Sequence, residues 1–490
     1  MTAKPTRVNP NILLAVLALS GLAYAVLSAI VIPALPTLEH DLHTSETGVT
    51  WVLTAYLIAA SIGTSILGRL GDMYGKQRVL VWTMMVLTVG TLLAAVAQSL
   101  AVLVVARALQ GAAGGIYPLA FGIVRDEFPR ERIAGSIGLL SAILGVGGGV
   151  GIVASGLIIE NMSWHWLFWF PLFVTVAAAV AVWRLVPESP VRVPGRVNWR
   201  AALVMAAGIS MLLLAISETT VWGWGSVKTI GLLAGGLAAC ATWIAIETRS
   251  AEPLVDMTMM RIRGVWTTNT AAFLLGAGMY ASFVIIPQFA QLPKRTGFGY
   301  GASVVVSGLY LLPSTMGMMA MSLLAGSIAS RYGSRRSLVA GSVVSTAAFV
   351  LLLALGHGSL QMLIAAGLIG IGIGLAFAAL GNLIVGAVPP QQTGIATGMN
   401  TVMRLLGGAL GGQLSATFIA GHLAHGLPAV TGFTETFAVS AAFLVVCVAA
   451  SLLVPRGQSR VETGSVESRA PVPRPALAGV GDGAAEAAKR

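Results

Sequence analysis

The sequence contains few charged residues and very few cysteines. Asp, Glu, Lys and Arg make up 10% of the 490 residues, against about 25% in a typical soluble domain, whereas 56% are hydrophobic. The two cysteines, Cys240 and Cys447, both fall inside apolar runs, which favours buried thiols over a disulfide or a metal site. This composition excludes a soluble globular protein and predicts a protein that crosses a membrane several times.

The sequence also lacks the motifs of common enzyme classes. It has no metal-ligand spacing, no phosphate-binding Gly-Lys-Ser/Thr loop and no nucleophile elbow. The glycine-rich stretch 145–151 lies within an apolar run, with no predicted strand before it. It therefore indicates glycines that pack helices together rather than a phosphate site. We expect a protein that is not an enzyme and that carries no cofactor and no metal.

Apolar runs of about 20 residues, each long enough to cross the hydrocarbon layer as a helix, recur along the chain. They predict an all-α polytopic membrane protein with fourteen transmembrane helices. The predicted spans are 12–35, 50–68, 79–98, 101–124, 134–158, 165–186, 200–218, 228–247, 265–289, 302–329, 337–356, 360–387, 395–420 and 433–454.

The basic residues are distributed unevenly between the predicted loops. Of the 29 Lys and Arg residues, 24 fall on one side of the membrane, whereas Lys228, Lys294 and Arg295 fall on the other. The positive-inside rule then places both termini in the cytoplasm. The excess of Arg over Lys, with abundant Ala and Gly, suggests a GC-rich bacterial genome, so the expected location is a bacterial inner membrane. The net charge of +11 is thus mainly a sign of topology, with membrane lipids as partners and no nucleic acid.

A short basic turn occurs twice, at Gly68–Arg78 and at Gly326–Arg336, 258 residues apart. Both copies read Gly-x3-(Asp or Ser)-x-Tyr-Gly-x2-Arg. The repeat predicts two six-helix bundles with pseudo-two-fold symmetry, and its position after spans 2 and 10 makes spans 7 and 8 an insertion. The predicted domains are a cytoplasmic segment 1–11, a first bundle 12–186, a linker with two inserted helices 187–264, a second bundle 265–454 and a disordered cytoplasmic tail 455–490.

Charged residues cluster around the first copy of the turn, where spans 2 and 3 meet the cytoplasm and span 4 ends. Ion pairs there could form a latch that breaks when the two bundles move. The alternative is a solvated turn that only sets the topology. The predicted latch residues are Gly68, Asp72, Gly75, Arg78, Asp126, Glu127 and Arg336.

Two arginines fall inside predicted spans, where a cation costs about 2.5–3.5 kcal/mol and normally faces a cavity or a partner. Arg107 is followed one turn later by Gln110 and by packing glycines, and Arg404 lies one turn after Asn400. We predict a functional role for both arginines, as candidates for coupling substrate movement to an ion gradient. A structural role for Arg107, and an Arg404 side chain that reaches the cytoplasmic interface, are the alternatives.

No Asp or Glu falls at mid-membrane in this assignment of spans. A proton-coupled transporter usually keeps a titratable group in its path. The nearest candidates are Glu218, which ends span 7, and Glu435, which opens span 14.

Several motifs in order resemble the major facilitator superfamily, in its fourteen-span drug:proton antiporter branch, over about residues 10–455. The stretch 51–78 resembles the family's span 2 and its signature loop, Arg107-x2-Gln110-Gly111 its span 4 motif, and 163–168 its span 5–6 junction. The resemblance implies that Arg107 acts in proton coupling. Two positions depart from the family: Ile152 replaces a proline in span 5, and Leu27 replaces an aspartate in span 1.

The predicted function is a monomeric secondary exporter of hydrophobic or amphipathic small molecules, such as drug-like compounds, that works by alternating access and is powered by proton import. A lipid or endogenous-metabolite exporter, and a membrane sensor or partner protein that does not transport, are the alternatives. The two arginines favour an anionic or neutral substrate. By resemblance spans 1, 4, 5, 9, 10 and 13 would line a central cavity, with Tyr24, Arg107, Gln110, Tyr117, Tyr280, Gln288, Gln291, Asn400 and Arg404 facing it.

Overall fold

The computed structural model describes residues 9–189, 198–250, 253, 255–355, 358–424 and 427–455, and this part of the chain is almost entirely helical. The tail predicted at 455–490 lies outside it except for its first residue, and the segment 1–11 lies outside it up to residue 8. The α-helices are α1 (Pro10–Ala29), α2 (Leu35–Asp41), α3 (Glu46–Tyr74), α4 (Lys76–Ala95), α5 (Leu100–Ala112), α6 (Ile116–Glu127), α7 (Arg130–Asn161), α8 (Trp166–Leu185), α9 (Trp199–Ser217), α10 (Thr219–Trp222), α11 (Val227–Arg249), α12 (Met257–Arg261), α13 (Arg263–Gln291), α14 (Val304–Leu309), α15 (Leu312–Tyr332), α16 (Ser334–Leu355), α17 (Ser359–Gly386), α18 (Thr393–Gly421) and α19 (Val430–Leu453).

Four short 3₁₀ turns and one small hairpin complete the described structure. The 3₁₀ turns are Ile32–Ala34, Ala113–Gly115, Lys294–Thr296 and Pro390–Gln392. The hairpin joins α18 to α19: β1 (Leu423–Ala424) pairs antiparallel with β2 (Leu427–Pro428), with Leu423 opposite Pro428.

Thirteen helical segments in the described residues are long and apolar enough to cross a membrane. They coincide with thirteen of the fourteen predicted spans. The remaining predicted span, 395–420, falls on α18, which is 29 residues long but carries Asn400, Arg404 and Gln413 among its apolar residues. The all-α, membrane-spanning fold is therefore confirmed, and the count of fourteen stays a prediction.

Three predicted spans contain breaks that the sequence analysis did not anticipate. Span 1 ends as an α-helix at Ala29 and continues through a 3₁₀ turn into α2, where Pro33 and Pro36 interrupt the backbone hydrogen bonds. Span 4 is divided into α5 and α6 by the turn Ala113–Gly115. Span 10 is divided into α14 and α15 just before Pro313.

Helix α7 runs unbroken between α1 and α15, and its glycines alternate between these two neighbours. A Cβ atom on Gly151 would lie 2.7 Å from the carbonyl oxygen of Val26 in α1, and one on Gly147 would collide with Ala25. Two residues along a helix correspond to a rotation of about 200°. Gly145 and Gly149 are each two residues from Gly147, so they point to the opposite side and meet Met318 and Thr315 of α15. The predicted packing role of the stretch 145–151 is confirmed.

Two groups of buried apolar side chains form the interior. One contains residues of α1 to α9, α11, α12 and the first half of α18, with Val265 of α13 and Ile384 and Val385 of α17. The other contains residues of α13 and of α15 to α19, together with Ala29 and Ile152. Helix α18 therefore packs against both α3 and α13. The domain boundaries drawn from the sequence stay a prediction.

The helices of the predicted insertion, α9 and α11, pack against each other, and α9 also contacts α3 and α18. The indole Nε1 of Trp224, between α10 and α11, donates to the hydroxyl of Thr417 at 3.0 Å. The inserted pair thus covers the line where α3 meets α18. Cys240 in α11 and Cys447 in α19 are both free thiols; Cys447 is buried, as predicted, whereas Cys240 is only half-buried.

Candidate functional site: a central cavity and a charged cluster

A cavity of about 180 Å³ lies between helices from the first and second halves of the chain. Its wall is mostly apolar, with polar groups from tyrosine, serine and threonine hydroxyls and from one arginine. The lining residues are Tyr24, Ser28 and Ala29 of α1; Ile32 and Gly114 of two 3₁₀ turns; Leu53, Tyr56 and Leu57 of α3; Tyr117 of α6; Leu144, Gly148 and Ile152 of α7; Met279 and Tyr280 of α13; Phe377 of α17; and Thr401, Arg404 and Leu405 of α18.

Three tyrosines form one aromatic wall of the cavity. Tyr24 stacks on Tyr56 with ring centroids 5.9 Å apart, and it meets Tyr117 edge to face at 6.2 Å. The hydroxyl of Tyr117 donates to the carbonyl oxygen of Gly21 at 2.9 Å, which holds α6 against α1. Tyrosine side chains are amphipathic, and rings packed in this way form a rigid surface. The wall therefore offers flat apolar faces with hydroxyl groups at their edges.

Arg404 projects into the cavity from α18. Its guanidinium lies 4.6 Å from the centre of the Phe377 ring, and 8% of the residue is exposed. The titratable groups that act on it are the phenols of Tyr280, Tyr117 and Tyr24. Among the described residues, no carboxylate pairs with Arg404. A cation without a counter-ion is therefore part of the cavity wall.

Arg107, in α5, is fully buried and lies behind this wall rather than in it. Its guanidinium is 4.3 Å from the centre of the Tyr56 ring. It donates to the carbonyl oxygens of Leu27 (2.9 Å) and Val52 (3.3 Å) and to Gln110 Oε1 (2.7 Å). Tyr56 thus separates Arg107 from the cavity, and backbone carbonyls solvate the charge within the span.

The other predicted cavity residues divide into two sets. Tyr24, Tyr117 and Tyr280 line the cavity, as expected. Gln110 instead bonds to Arg107 and to Thr91, and Asn400 donates to Asn269 Oδ1 at 3.0 Å. Gln288 and Gln291 are exposed at the end of α13.

The set of lining helices differs from the one implied by resemblance. Helices α3 and α17 contribute residues although spans 2 and 12 were not expected to, whereas none of the described lining residues comes from α15 of span 10. Tyr56 was missed by the sequence analysis. It ends the motif 51–56 that carries the resemblance, and it was read there only as a family signature.

Neither acidic coupling candidate lines the cavity. Glu218 is 3% exposed at the junction of α9 and α10, and its burial raises the pKa of its carboxyl. Glu435 is half-exposed and lies 3.5 Å from Nε2 of His422. No Asp, Glu or His is found among the residues that line the cavity in the described part of the chain.

A buried charged cluster occupies the first copy of the repeated turn, and its centre is Lys76. Lys76 Nζ lies 2.8 Å from Asp126 Oδ2 and 3.4 Å from Asp72 Oδ1, and all three side chains are 1% exposed. The hydroxyl of Ser189 also donates to Asp126. Gly122 leaves room for the lysine, because a Cβ there would lie 2.6 Å from Lys76 Cε. Lys76 was not predicted as a site residue, because in the sequence it looks like one more basic residue of a loop.

The remaining residues of the predicted latch do not belong to the buried cluster. Arg78 is largely exposed, with Nε 3.5 Å from Glu188 Oε2. Gly75 has φ 110°, and a side chain there would collide with the Glu188 carboxylate. Glu127 is half-buried at the end of α6, and Arg336 is exposed at the start of α16.

The cluster reaches across to the second half of the chain. Asp72 faces the first turn of α18, where its Oδ2 lies 2.9 Å from the position of a Cβ on Gly394. Arg125 donates to Thr393 Oγ1 at 2.7 Å and to the carbonyl oxygen of Val388 at 2.8 Å. The positive end of the α18 dipole favours the carboxylate. The latch residues Gly68, Asp72 and Asp126 thus meet at one end of the molecule, and their mechanical role stays a prediction.

Comparison with known proteins decides the family. Residues 17–412 match the family model described as Major Facilitator Superfamily, with a second match over 268–481. The chain belongs to the major facilitator superfamily. The family predicted by resemblance is confirmed, and the fourteen-span branch stays a prediction.

Relatives within the superfamily include transporters and resistance proteins. The chain is 30% identical to an uncharacterised MFS-type transporter of Mycobacterium tuberculosis over 84% of this chain and 59% of that protein, and thus spans about three fifths of that relative's length. It is 27% identical to the tetracenomycin C resistance and export protein of Streptomyces glaucescens, over 82% of this chain and 74% of that one. It is also 27% identical to multidrug resistance protein 3 of Bacillus subtilis, over 75% and 71% respectively.

A solved superfamily structure has the same fold. The human organic anion transporter MFSD10 superposes with a TM-score of 0.65 over 91% of this chain and all of that chain, at 14% identity. Despite this low identity the helices follow the same path, so the superfamily fold of the present chain is supported independently of its motifs.

Proposed function

We propose that this superfamily member is a secondary active exporter of hydrophobic or amphipathic small molecules that works by alternating access. The observation that carries the proposal is the central cavity, whose wall combines residues of α1, α3, α6 and α7 with residues of α13, α17 and α18. A binding site shared by two bundles can be opened to either side of the membrane by rocking one bundle against the other. Relatives named for multidrug resistance and antibiotic export support drug-like substrates.

The contacts at the Asp72 end of the cavity act as a gate in this proposal. Gly68 of α3 and Gly394 of α18 approach so closely that a Cβ on Gly68 would lie 2.5 Å from the Gly394 carbonyl oxygen. Opening this end requires that Arg125 release Thr393 and Val388 and that Asp72 leave the start of α18. Lys76 stays between Asp72 and Asp126 throughout, so no buried carboxylate is left without a cation.

The excess of basic residues in the loops on this side supports a position of the gate at the cytoplasmic face of a bacterial inner membrane. The described conformation is then closed to the cytoplasm. The proposed protein is a monomer with both termini in the cytoplasm, surrounded by membrane lipids.

Proton import is the proposed energy source. Because no acid is among the described residues that line the cavity, we place the proton-binding group outside it, and Glu218, whose burial raises the pKa of its carboxyl, is the proposed candidate. Arg107 would act on the cavity indirectly, because it holds Leu27 of α1 and Val52 of α3 together behind Tyr56.

Reconstitution into liposomes with an imposed pH gradient tests this proposal. A fluorescent amphiphile should move against its concentration gradient, Arg107→Ala should abolish the movement, and the exposed Arg184→Ala should leave it unchanged. Movement that ignores the pH gradient would remove proton coupling from the proposal. If no amphiphile moves at all, the protein would instead be a sensor or partner protein.

A further inference from the structure

We infer that the central cavity binds the acidic group of an anionic amphiphile, and that Arg404 is the residue that recognises it. This inference rests on the proposed export function, since it names the class of molecule that the same cavity accepts. It follows from the charges of the cavity wall, from the different surroundings of the two buried arginines, and from the shape of the apolar surface around Arg404.

The charge of the cavity wall has one sign. Arg404 is the cation that lines the cavity, and neither a carboxylate nor an imidazole is among the described residues that line it. The groups that act on Arg404 are phenols, which are neutral at physiological pH. A cation that is removed from water and lacks a counter-ion gains most from an anion placed beside it. A cationic ligand would meet repulsion there, with no acid to offset it.

The contrast with Arg107 shows that Arg404 is available for a ligand. Arg107 donates to two backbone carbonyls and to Gln110, and its ring contact is with Tyr56. Arg404 has a ring contact with Phe377, and no side-chain hydrogen bond from it is found within the described residues. Protein groups therefore satisfy much of the donor capacity of Arg107, whereas the donors of Arg404 face the cavity.

The rest of the wall fits an apolar body attached to the acidic group. Met279, Ile152, Ile32 and Leu53 supply aliphatic surface, and Tyr24 and Tyr56 supply ring faces. A small inorganic anion would leave this surface in contact with water. A ligand with one acidic group and an aromatic or aliphatic body would cover both kinds of surface.

An anionic substrate would also change the energetics of export. A negative charge that leaves a cell with an inside-negative potential moves down that potential. For one charge and 100 mV the accumulation ratio at equilibrium is about 50-fold. The membrane potential can therefore drive the export of such a substrate directly, even though no acid is among the described residues that line the cavity.

Three probes with the same ring system test the inference in lipid nanodiscs. Naphthalenesulfonate is a permanent anion, naphthalenesulfonamide is a neutral molecule of nearly the same shape, and trimethylnaphthylammonium is a permanent cation. Wild-type protein should bind the sulfonate most tightly. Arg404→Gln should weaken sulfonate binding about 10- to 100-fold and change sulfonamide binding less than about 3-fold. Arg404→Lys should retain most of the affinity, and Arg184→Gln should retain all of it.

Binding that does not prefer the sulfonate in wild-type protein would overturn the inference, as would full sulfonate affinity in Arg404→Gln. If Arg404→Gln does not fold, the order of the binding affinities of the three probes, measured on wild-type protein and on Arg404→Lys, tests the inference instead. Transport in liposomes then separates the two proposals. Export of the cation but not of the sulfonate would refute anion recognition and leave the proposed export function intact. Sulfonate binding without transport of any probe would support anion recognition and refute the proposed export function.

The dependence on membrane potential is measured in the same liposomes at equal pH on both sides. A potassium diffusion potential should drive the sulfonate to the positive side and leave the distribution of the sulfonamide unchanged. A sulfonate distribution that does not respond to the potential would contradict the energetic part of the inference.

Discussion

The two copies of the repeated turn have nearly the same backbone and very different surroundings. In each copy a helix ends at a glycine with positive φ, Gly75 (110°) and Gly333 (84°), and the tyrosine before it is exposed. The first copy encloses the buried cluster of Asp72, Lys76 and Asp126, whereas a side chain on Gly333 would meet no atom within 4 Å. Duplication has thus conserved the path of the chain, and the neighbouring helices have made one copy a buried contact and left the other at the surface.

The two copies agree at one further place, their first glycine. Gly68 of α3 meets Gly394 of α18, and Gly326 of α15 meets Gly135 of α7, where a Cβ on Gly326 would lie 2.7 Å from the Gly135 Cα atom. Each copy therefore packs its helix against a helix from the other part of the chain through a pair of glycines. The comparison predicts which substitutions should differ between the copies and which should not.

The largest difference is expected at Lys76 and at Ser334, which occupies the same position in the second copy. Lys76→Met should lower the free energy of unfolding by about 3–5 kcal/mol, because it leaves two buried carboxylates without a cation. Ser334→Ala should change it by less than about 0.5 kcal/mol. Thermal unfolding in detergent, followed by tryptophan fluorescence, measures both. Equal melting temperatures for Lys76→Met and wild type would show that the cluster does not stabilise the protein.

Equal effects are expected at the first glycines. Gly68→Ala and Gly326→Ala should each destabilise the protein by about 1–3 kcal/mol, because in both a methyl group would press against the backbone of another helix. Gly412→Ala in α18 is the control, since a Cβ there meets nothing within 4 Å. The same unfolding assay applies, and a neutral effect at only one of the first two glycines would break the symmetry of the contacts.

A smaller difference is expected at the turn glycines. Gly75→Ala and Gly333→Ala both force a side chain into a strained backbone conformation, at about 1–3 kcal/mol each. Gly75→Ala should be the more destabilising by about 1 kcal/mol, because its methyl group would also displace Glu188. The difference should disappear when both substitutions are compared in a Glu188→Ala background, and a difference that persists would mean that Glu188 is not its cause.

The smallest effects are expected at the last arginines of the two copies. Arg78→Gln should cost less than about 1 kcal/mol, because its contact with Glu188 is largely exposed. Arg336→Gln should have a still smaller effect. The free energy of unfolding, measured at low salt and at about 1 M salt, distinguishes the two variants, since screening should remove the effect of Arg78→Gln. A large, salt-independent loss at either position would contradict the exposed placement of these arginines.

The fold was largely predictable, whereas the site was predictable only in part. Apolar run lengths indicated the spans, because a helix in lipid must satisfy its own backbone hydrogen bonds. The structure places Tyr24, Tyr117, Tyr280 and Arg404 in the cavity wall, and their role in substrate binding stays a prediction. Gln288, Gln291 and Asn400 were chosen as polar residues within or near spans, and polarity alone does not show whether a side chain faces a cavity, a neighbouring helix or the surface.

Lys76 illustrates the same limit from the other direction. In the sequence it is one basic residue among many at a loop, and the positive-inside rule explains it fully. Its burial depends on Gly122 and on two carboxylates from helices that are about 50 residues apart along the chain. Local sequence contains no signal for such a contact.

The sequence by itself determined the membrane-spanning all-α fold, the repeat and the superfamily, because hydropathy and short motifs are local properties. The tertiary structure decided which copy of the turn is buried and which of the two arginines in the spans faces the cavity. In the sequence, Arg107 and Arg404 are both simply cations inside predicted spans. They differ because the rotation of each helix, and the carbonyl groups that its neighbours present, are settled only when the helices pack together.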